Sequence, residues 1–304
     1  LDLSGYDIKI GNATDVGKVR EHNEDYMAHF DTPIGYCIIL CDGMGGHVAG
    51  QVAAQNSIVS IQRFLTDLKH DNSSVPMVLS SAIEFANYQL HEMANKNADL
   101  RGMGTTCVLA LIKNGQLYTA HAGDSRIYLI RGKGIKQITK DHSSVQKLID
   151  MGVLTEEEAE LSEKRNEIIK AIGIFEKVNA TITPTALILR KNDKILLCSD
   201  GLTGHVNKEK IKDTVQSINN TQNAALKLID MANDDGGRDN ITVQLIHYTG
   251  NAIGSERKSW VKKIFALFII LVAAGCLSFW LYQNSRPNEK VNISVSNKST
   301  SLKK

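Results

Sequence analysis

Four short runs follow one another between Thr106 and Ile138: Thr106–Ile112, Gln116–His121, Ser125–Ile130 and Gly134–Ile138. The short gaps between them contain Asn114-Gly115, Gly123-Asp124 and Gly132-Lys133. Runs of this length, parted by such turn dipeptides, predict four strands in an antiparallel meander. The apolar run Gly35–Cys41 predicts a central strand. Helices are expected at Val52–Leu68, where Ile58, Ile61, Leu65 and Leu68 share a face, and at Met77–Met93. Ser143–Gly173 is charged and predicts two short helices. Strands are expected again at Thr183–Leu189, Ile195–Cys198 and Ile241–His247, with helices at Glu209–Ile218 and Asn223–Ala232. Helix pairs set among antiparallel strands give α+β layers.

The net charge of +2 hides a split. From Glu256 onward nine Lys/Arg stand against two Glu, so this end carries +7 and residues 1–255 carry −5. An acidic body argues against nucleic-acid binding, which needs a basic footprint. The five cysteines (Cys37, Cys41, Cys107, Cys198 and Cys276) form no CxxC pair, so they read as free thiols in a reducing compartment rather than as a zinc site.

Leu1–Gly5 has neither a basic region nor an apolar run, and no export signal is expected. Ile264–Tyr282 gives 19 residues without a charge. As a helix this is roughly 28 Å long, close to a bilayer core of about 30 Å. Trp260, Trp280 and Tyr282 bracket it, and Arg257, Lys258, Lys262 and Lys263 crowd its first end. That predicts a single transmembrane helix with the body on the cytoplasmic side. The expected organisation is a domain over 1–248, a basic linker over 249–263, the span 264–282 and a polar tail 283–304.

Acidic residues recur at the ends of the apolar strands. Asp42 ends Ile38–Cys41, Asp200 follows Ile195–Ser199, and Asp124 follows Tyr118–Gly123. Glu24 and Asp25 precede Tyr26-Met27-Ala28, and Asp239 lies just before Ile241-Thr242-Val243. Asp42-Gly43 and Asp200-Gly201 are also ordinary turn dipeptides. Yet Asp42-Gly43 leads through Met44-Gly45-Gly46 into a helix, which a hairpin does not explain. Isolated carboxylates at buried strand ends are costly unless neutralised. Carboxylate-rich oxygen ligation suits Mg²⁺ or Mn²⁺, and two such ions sharing a carboxylate lower the pKa of a bridging water toward about 7. Arg20, four residues before Glu24, offers a fork for a phosphate; its other reading is a salt bridge to a nearby acid. Metals with an arginine, and no Ser, Cys or Lys nucleophile motif, point to metal-assisted phosphate hydrolysis.

In chain order, Thr14–Asp25, Cys41–Gly50, Gly102–Thr106, Gly123–Arg126, Thr139–Ser143, Leu197–Thr203 and Arg238–Thr242 resemble the motifs of the PP2C-type metal-dependent protein serine/threonine phosphatases, in particular the bacterial branch. The resemblance covers most of the body, and seven pieces in the correct order make it specific. It implies an α+β fold, a four-layer α-β-β-α sandwich of two antiparallel sheets flanked by helices, with a metal cleft at one end. It implies two ions, Mn²⁺ or Mg²⁺. Asp42 would bridge them, Asp200 and Asp239 would complete the first, and the Gly43 carbonyl would bind the second, with Glu24 and Asp25 acting through its waters. A third ion, as in bacterial members, would use Asp124 and Asp200, and Arg20 would hold the substrate phosphate. Ser143–Gly173 corresponds to the flap beside the cleft. Met44 stands where many eukaryotic members have a histidine proposed as general acid, which leaves that acid unassigned. Gln51 and Lys170 replace the more usual Glu and Arg. For His47, His142, His121 and His22 packing or hydrogen bonding is favoured over ligation.

The expected function is hydrolysis of phosphoserine and phosphothreonine in cytoplasmic proteins by a metal-bridging hydroxide, on a membrane-tethered monomer. A membrane serine/threonine kinase and its substrates are the partners the resemblance suggests. The alternatives are a catalytically inactive scaffold of the same fold, which loss of a ligand Asp would mark, and a phosphatase for small phosphate esters.

Overall fold

The computed structural model describes residues 2–46, 48–68, 73–250, 274–278, 280 and 281. The chain divides into two units, Leu1–Ile253 and Gly254–Lys304. The first begins with β1 (Asp2–Leu3), β2 (Ile8–Asp15), β3 (Asp25–Thr32) and β4 (Gly35–Met44). Helices α1 (Val48–Thr66) and α2 (Val75–Lys96) follow, then β5 (Gly104–Thr105), β6 (Cys107–Lys113), β7 (Gln116–Ala122), β8 (Arg126–Arg131) and β9 (Gly134–Gln137). The flap carries α3 (Ser144–Asp150) and α4 (Glu156–Glu160) and returns through β10 (Thr181–Ile182) and β11 (Leu187–Ile188). β12 (Lys194–Cys198), α5 (Asp200–Thr203), α6 (Lys208–Ser217), α7 (Thr221–Asp234) and β13 (Ile241–Tyr248) complete it.

The strands form two antiparallel sheets. One runs β1-β2-β13-β12-β8-β9, the other β10-β7-β6-β4-β3, with β11 on β7 and β5 on β4. Alternation along β4 explains its unbroken apolar run. Cys37, Ile39 and Cys41 face α1 and α2, in a core with Ile58, Ile61, Leu79, Ile83 and Leu90. Tyr36, Ile38 and Leu40 face the other sheet, where they meet Ile8, Ile10, Ile127, Ile195 and Leu197. On the far side Leu196, Cys198, Val243 and Leu245 pack under Leu202, Ile211 and Leu228 of α5, α6 and α7. Three cores between four layers give the α-β-β-α sandwich, in which both faces of each central strand are buried.

The four runs after Thr106 are not one meander. β6 pairs with β7 across Asn114 and Gly115, whose φ values of 50° and 70° make the expected hairpin turn. β8 pairs with β9, but in the opposite sheet. Gly123-Asp124 is therefore a crossing from one sheet to the other. Gly123 has φ of 108°, and a Cβ there would press on Thr106. A turn dipeptide does not say whether the next strand pairs back or leaves, so periodicity alone could not separate the two.

Of the second unit, the described residues 274–278, 280 and 281 are helical. Among the described residues no helix is long and apolar enough to cross a membrane. Most of the expected span 264–282 lies outside the described residues, as do His47 and almost all of the linker and tail.

Candidate metal centre

Five aspartates reach one edge of the sandwich from five places in the chain. Asp42 lies near the end of β4, its Cα paired with that of Asp25 at the entry to β3. Asp200 opens α5, directly after β12. Asp239 stands two residues before β13, and Asp124 lies in the crossing between β7 and β8. Asp25 and Asp124 are buried, whereas Asp42, Asp200 and Asp239 are half-buried.

Loss of water and the charges of their neighbours push four of these carboxyls, Asp25, Asp42, Asp124 and Asp200, toward their neutral forms. Burial drives Asp25 up to about 7, against hydrogen bonds from Thr242 and Ser199 and with the charges of Asp200 and Asp239. Asp124 is pushed up to about 8, by burial first and then by Asp200 and Asp141. Asp42 lies well above the carboxylate range through burial and then through Asp25, Asp200, Asp124 and Asp239. Asp200 is raised by burial and by Asp239, although a hydrogen bond with Asp42 opposes this. Two carboxyls stand within hydrogen-bonding reach of each other only with a proton or a cation between them.

Oδ1 of Asp25 and Oδ1 of Asp124 are buried without a hydrogen-bond partner. Orphaned acceptors among repelling carboxylates fit a bound divalent cation. Among the described residues no group of three or more acidic, histidine or cysteine side chains is arranged to hold a metal ion by itself. Oxygen donors alone, carboxylates beside backbone carbonyls, suit hard ions that complete their shell with water. Gly43 is tightly held: its N–H donates to the Glu24 carbonyl at 3.2 Å, and a Cβ there would collide with the carbonyl of Gly50. A Cβ on Gly50 would in turn occupy the place of the Glu24 carboxylate.

Several residues hold this set that sequence reasoning passed over. Thr105 Oγ1 donates to the Asp42 carbonyl at 2.8 Å, and Thr106 Oγ1 accepts from the Asp42 N–H at 3.0 Å. Thr106 Oγ1 is also 2.8 Å from Ser125 Oγ, which ties Asp42 to the neighbour of Asp124. Asn240 accepts from the Glu24 N–H at 2.8 Å and donates to the carbonyls of Val16 and His22 at 2.9 Å each. It thereby pins the Arg20–Glu24 loop beside Asp239. A polar residue next to Asp124 (Ser125), Asp200 (Ser199) and Asp239 (Asn240) was the available signal, whereas Asp42 between Cys41 and Gly43 carries none.

Arg20 is in place, but its Nη2 donates to Asp239 Oδ2 at 2.9 Å, both side chains being partly exposed. Of its two readings, the structure thus displays the ion pair. His121 and His142 stack with ring centroids 4.6 Å apart. His142 Nδ1 accepts from the Gly123 N–H at 3.2 Å, and its Nε2 lies 2.8 Å from Thr181 Oγ1. Burial, the His121 ring and Lys170 drive His142 down to about 3, so it is a neutral brace for the crossing.

Residues 31–147 match the family described as Protein phosphatase 2C. The protein phosphatase PhpP of Streptococcus pneumoniae is 40% identical over 242 residues, 79% of this chain and 97% of that protein. The chain belongs to the protein phosphatase 2C family. As a member of the family it is a protein serine/threonine phosphatase. Among solved structures, the serine/threonine phosphatase Stp1 from Staphylococcus aureus matches with a TM-score of 0.74 and 35% identity, over 80% of this chain and 96% of that one. The catalytic domain of the phosphatase PstP, solved in complex with two manganese ions, matches with a TM-score of 0.69 and 34% identity, over 80% of this chain and 99% of that one. The 2C fold thus accounts for the sandwich of two antiparallel sheets flanked by helices.

Proposed function

We propose that this 2C phosphatase uses Asp42, Asp200, Asp239 and the Gly43 carbonyl to hold two divalent ions, Mn²⁺ or Mg²⁺. Glu24 and Asp25 support the second ion, and Asp124 with Asp200 offers room for a third. The observation that carries this reading is the convergence of five mutually repelling aspartates on one edge, two of them with orphaned buried oxygens. When bound, such ions neutralise phosphate charge and make water acidic enough to attack at neutral pH. Arg20 would exchange Asp239 for two phosphate oxygens and align the ester for in-line displacement. Asn240 keeps the Arg20 loop at the distance this requires, and Ser199 orients Asp25.

The proposed substrates are phosphoserine and phosphothreonine proteins on the cytoplasmic face of a membrane, a membrane serine/threonine kinase among them. The uncharged stretch Ile264–Tyr282, its flanking aromatic residues and the basic cluster before it support a tether. Hydrolysis of a phosphothreonine peptide is expected with Mn²⁺ and not with excess chelator; equal turnover in both would refute the metal reading. Deleting residues 260–304 is expected to give an active enzyme that no longer sediments with membranes. Sedimentation of that truncated form would refute the tether.

A further inference from the structure

Asn87 lies midway along α2, on the face that packs toward the sheet, and is 1% exposed. A buried amide in an apolar helix face is costly unless its groups are paired. Its Nδ2 donates to the carbonyls of Phe175 and Glu176 at 2.9 and 3.0 Å, and its Oδ1 accepts from the Gly173 N–H at 2.9 Å. All three bonds go to one stretch of backbone, residues 173–176, by which the chain leaves the flap. Gly173 has φ of 93°, and a Cβ there would sit 3.1 Å from the Met103 carbonyl and 3.2 Å from Leu90 Cβ, so this limb is pressed against α2. His91, one turn further on, lies with Nδ1 3.3 Å from the Gly173 carbonyl.

The limb continues directly from the site. Ile172 exchanges backbone hydrogen bonds of 2.8 and 3.0 Å with Thr105, the residue that donates to the Asp42 carbonyl. The other root of the flap is Ser143, which bridges Ile168 and follows His142. The His142 N–H donates to the Gly123 carbonyl at 2.9 Å, next to Asp124. Both roots therefore grip residues that flank the carboxylates. A flap so rooted stands beside whatever is attached to the phosphate, whereas the phosphate itself meets the aspartate edge and Arg20.

We infer that Asn87, remote from the aspartates, is a positioning residue for protein substrates. It fixes the return limb, and through it the placement of the flap against the peptide; the inference rests on the phosphatase reading. Removing its amide leaves the N–H of buried Gly173 unpaired and releases the carbonyls of Phe175 and Glu176, and the limb and flap would shift to find other partners.

The test compares the full chain with Asn87→Ala, Asn87→Asp and His91→Ala on a phosphothreonine peptide and on p-nitrophenyl phosphate, both with Mn²⁺. Asn87→Asp keeps the acceptor for Gly173 and loses both donors. For the Asn87 variants the peptide KM is expected to rise about 5- to 20-fold, with KM and kcat for the small ester within about 2-fold of wild type. His91→Ala is expected to move the peptide KM the same way by about 2-fold. A purely structural role would only remove active molecules, lowering kcat on both substrates together and leaving each KM in place. That parallel loss, or an unchanged peptide KM, overturns the inference. If Asn87→Ala does not fold by circular dichroism, Asn87→Asp and His91→Ala decide on the same criteria. Wild-type enzyme that hydrolyses neither substrate would instead refute the phosphatase reading.

Discussion

Ser199 Oγ donates to Asp25 Oδ2 at 2.8 Å and at the same time accepts from the Thr242 N–H at 3.0 Å. One hydroxyl thus links the entry of β3, in one sheet, to β13 in the other. Ser199→Ala would leave the buried Thr242 N–H unpaired and remove a bond that favours the charged form of Asp25. A loss of about 1–3 kcal/mol in unfolding free energy is expected, read by denaturant titration, together with Mn²⁺ binding weakened about 3- to 10-fold by calorimetry.

The raised carboxyls make the metal-free protein sensitive to pH. Asp25 and Asp124 go from an ordinary value of 3.8 to about 7 and about 8 on folding. The folded state then holds more protons than the unfolded chain between those limits. Its contribution to stability is complete below about pH 4 and is lost as pH rises through about 7 to 8. Thermal melts in chelator should therefore fall in Tm from pH 5 to pH 8.5 by several degrees, allowing for the separate titration of histidines. Saturating Mn²⁺ should restore more at the high end than at the low end. A metal-free Tm that climbs across this range would contradict the assignment.

Asp42 separates catalysis from stability. Asp42→Asn keeps the shape but removes a charge repelled by Asp25, Asp200, Asp124 and Asp239. Turnover on phosphopeptide is expected to fall at least about 10³-fold. The metal-free melting temperature at pH 8 is expected to rise by about 2–4 °C, since each kcal/mol of relieved repulsion is worth about that much in a domain of this size. A variant that is both inactive and less stable at that pH would mean that the repulsion has been misjudged.

Arg20→Ala should act on substrate and hardly on the fold. Its ion pair with Asp239 is partly exposed, a class of contact worth about 0–1 kcal/mol. Loss of a phosphate fork is expected to lower kcat/KM about 10- to 100-fold, mostly through KM, with Arg20→Lys recovering part of it. Steady-state kinetics beside a denaturant curve would separate these effects; an unaltered KM would make Arg20 a structural partner of Asp239 only.

Much of this architecture was legible because double-sided burial writes itself into composition. Gly35–Cys41 and Ile195–Cys198 are apolar throughout because each faces two cores, and their terminal aspartates stand out against that background. β2 and β3 were not legible: Ile8–Asp15 and Asp25–Thr32 mix polar with apolar residues, and their places in the sheets come from pairing with β13 and β4. Asn87 could not be read either, because its partners lie 86 to 89 residues away. The crossing at Gly123-Asp124 was hidden for a third reason, since local chemistry fixes the bend and tertiary packing decides its destination.

That crossing has a mechanical consequence. Asp25 and Asp42 ride on one sheet, and Asp200 and Asp239 flank strands β12 and β13 of the other, so an ion held by both sets would rivet the two halves of the sandwich together. Without such an ion, the shared inter-sheet core of Ile38, Leu40, Ile195 and Leu197 alone sets how far apart the two sets of carboxylates stand.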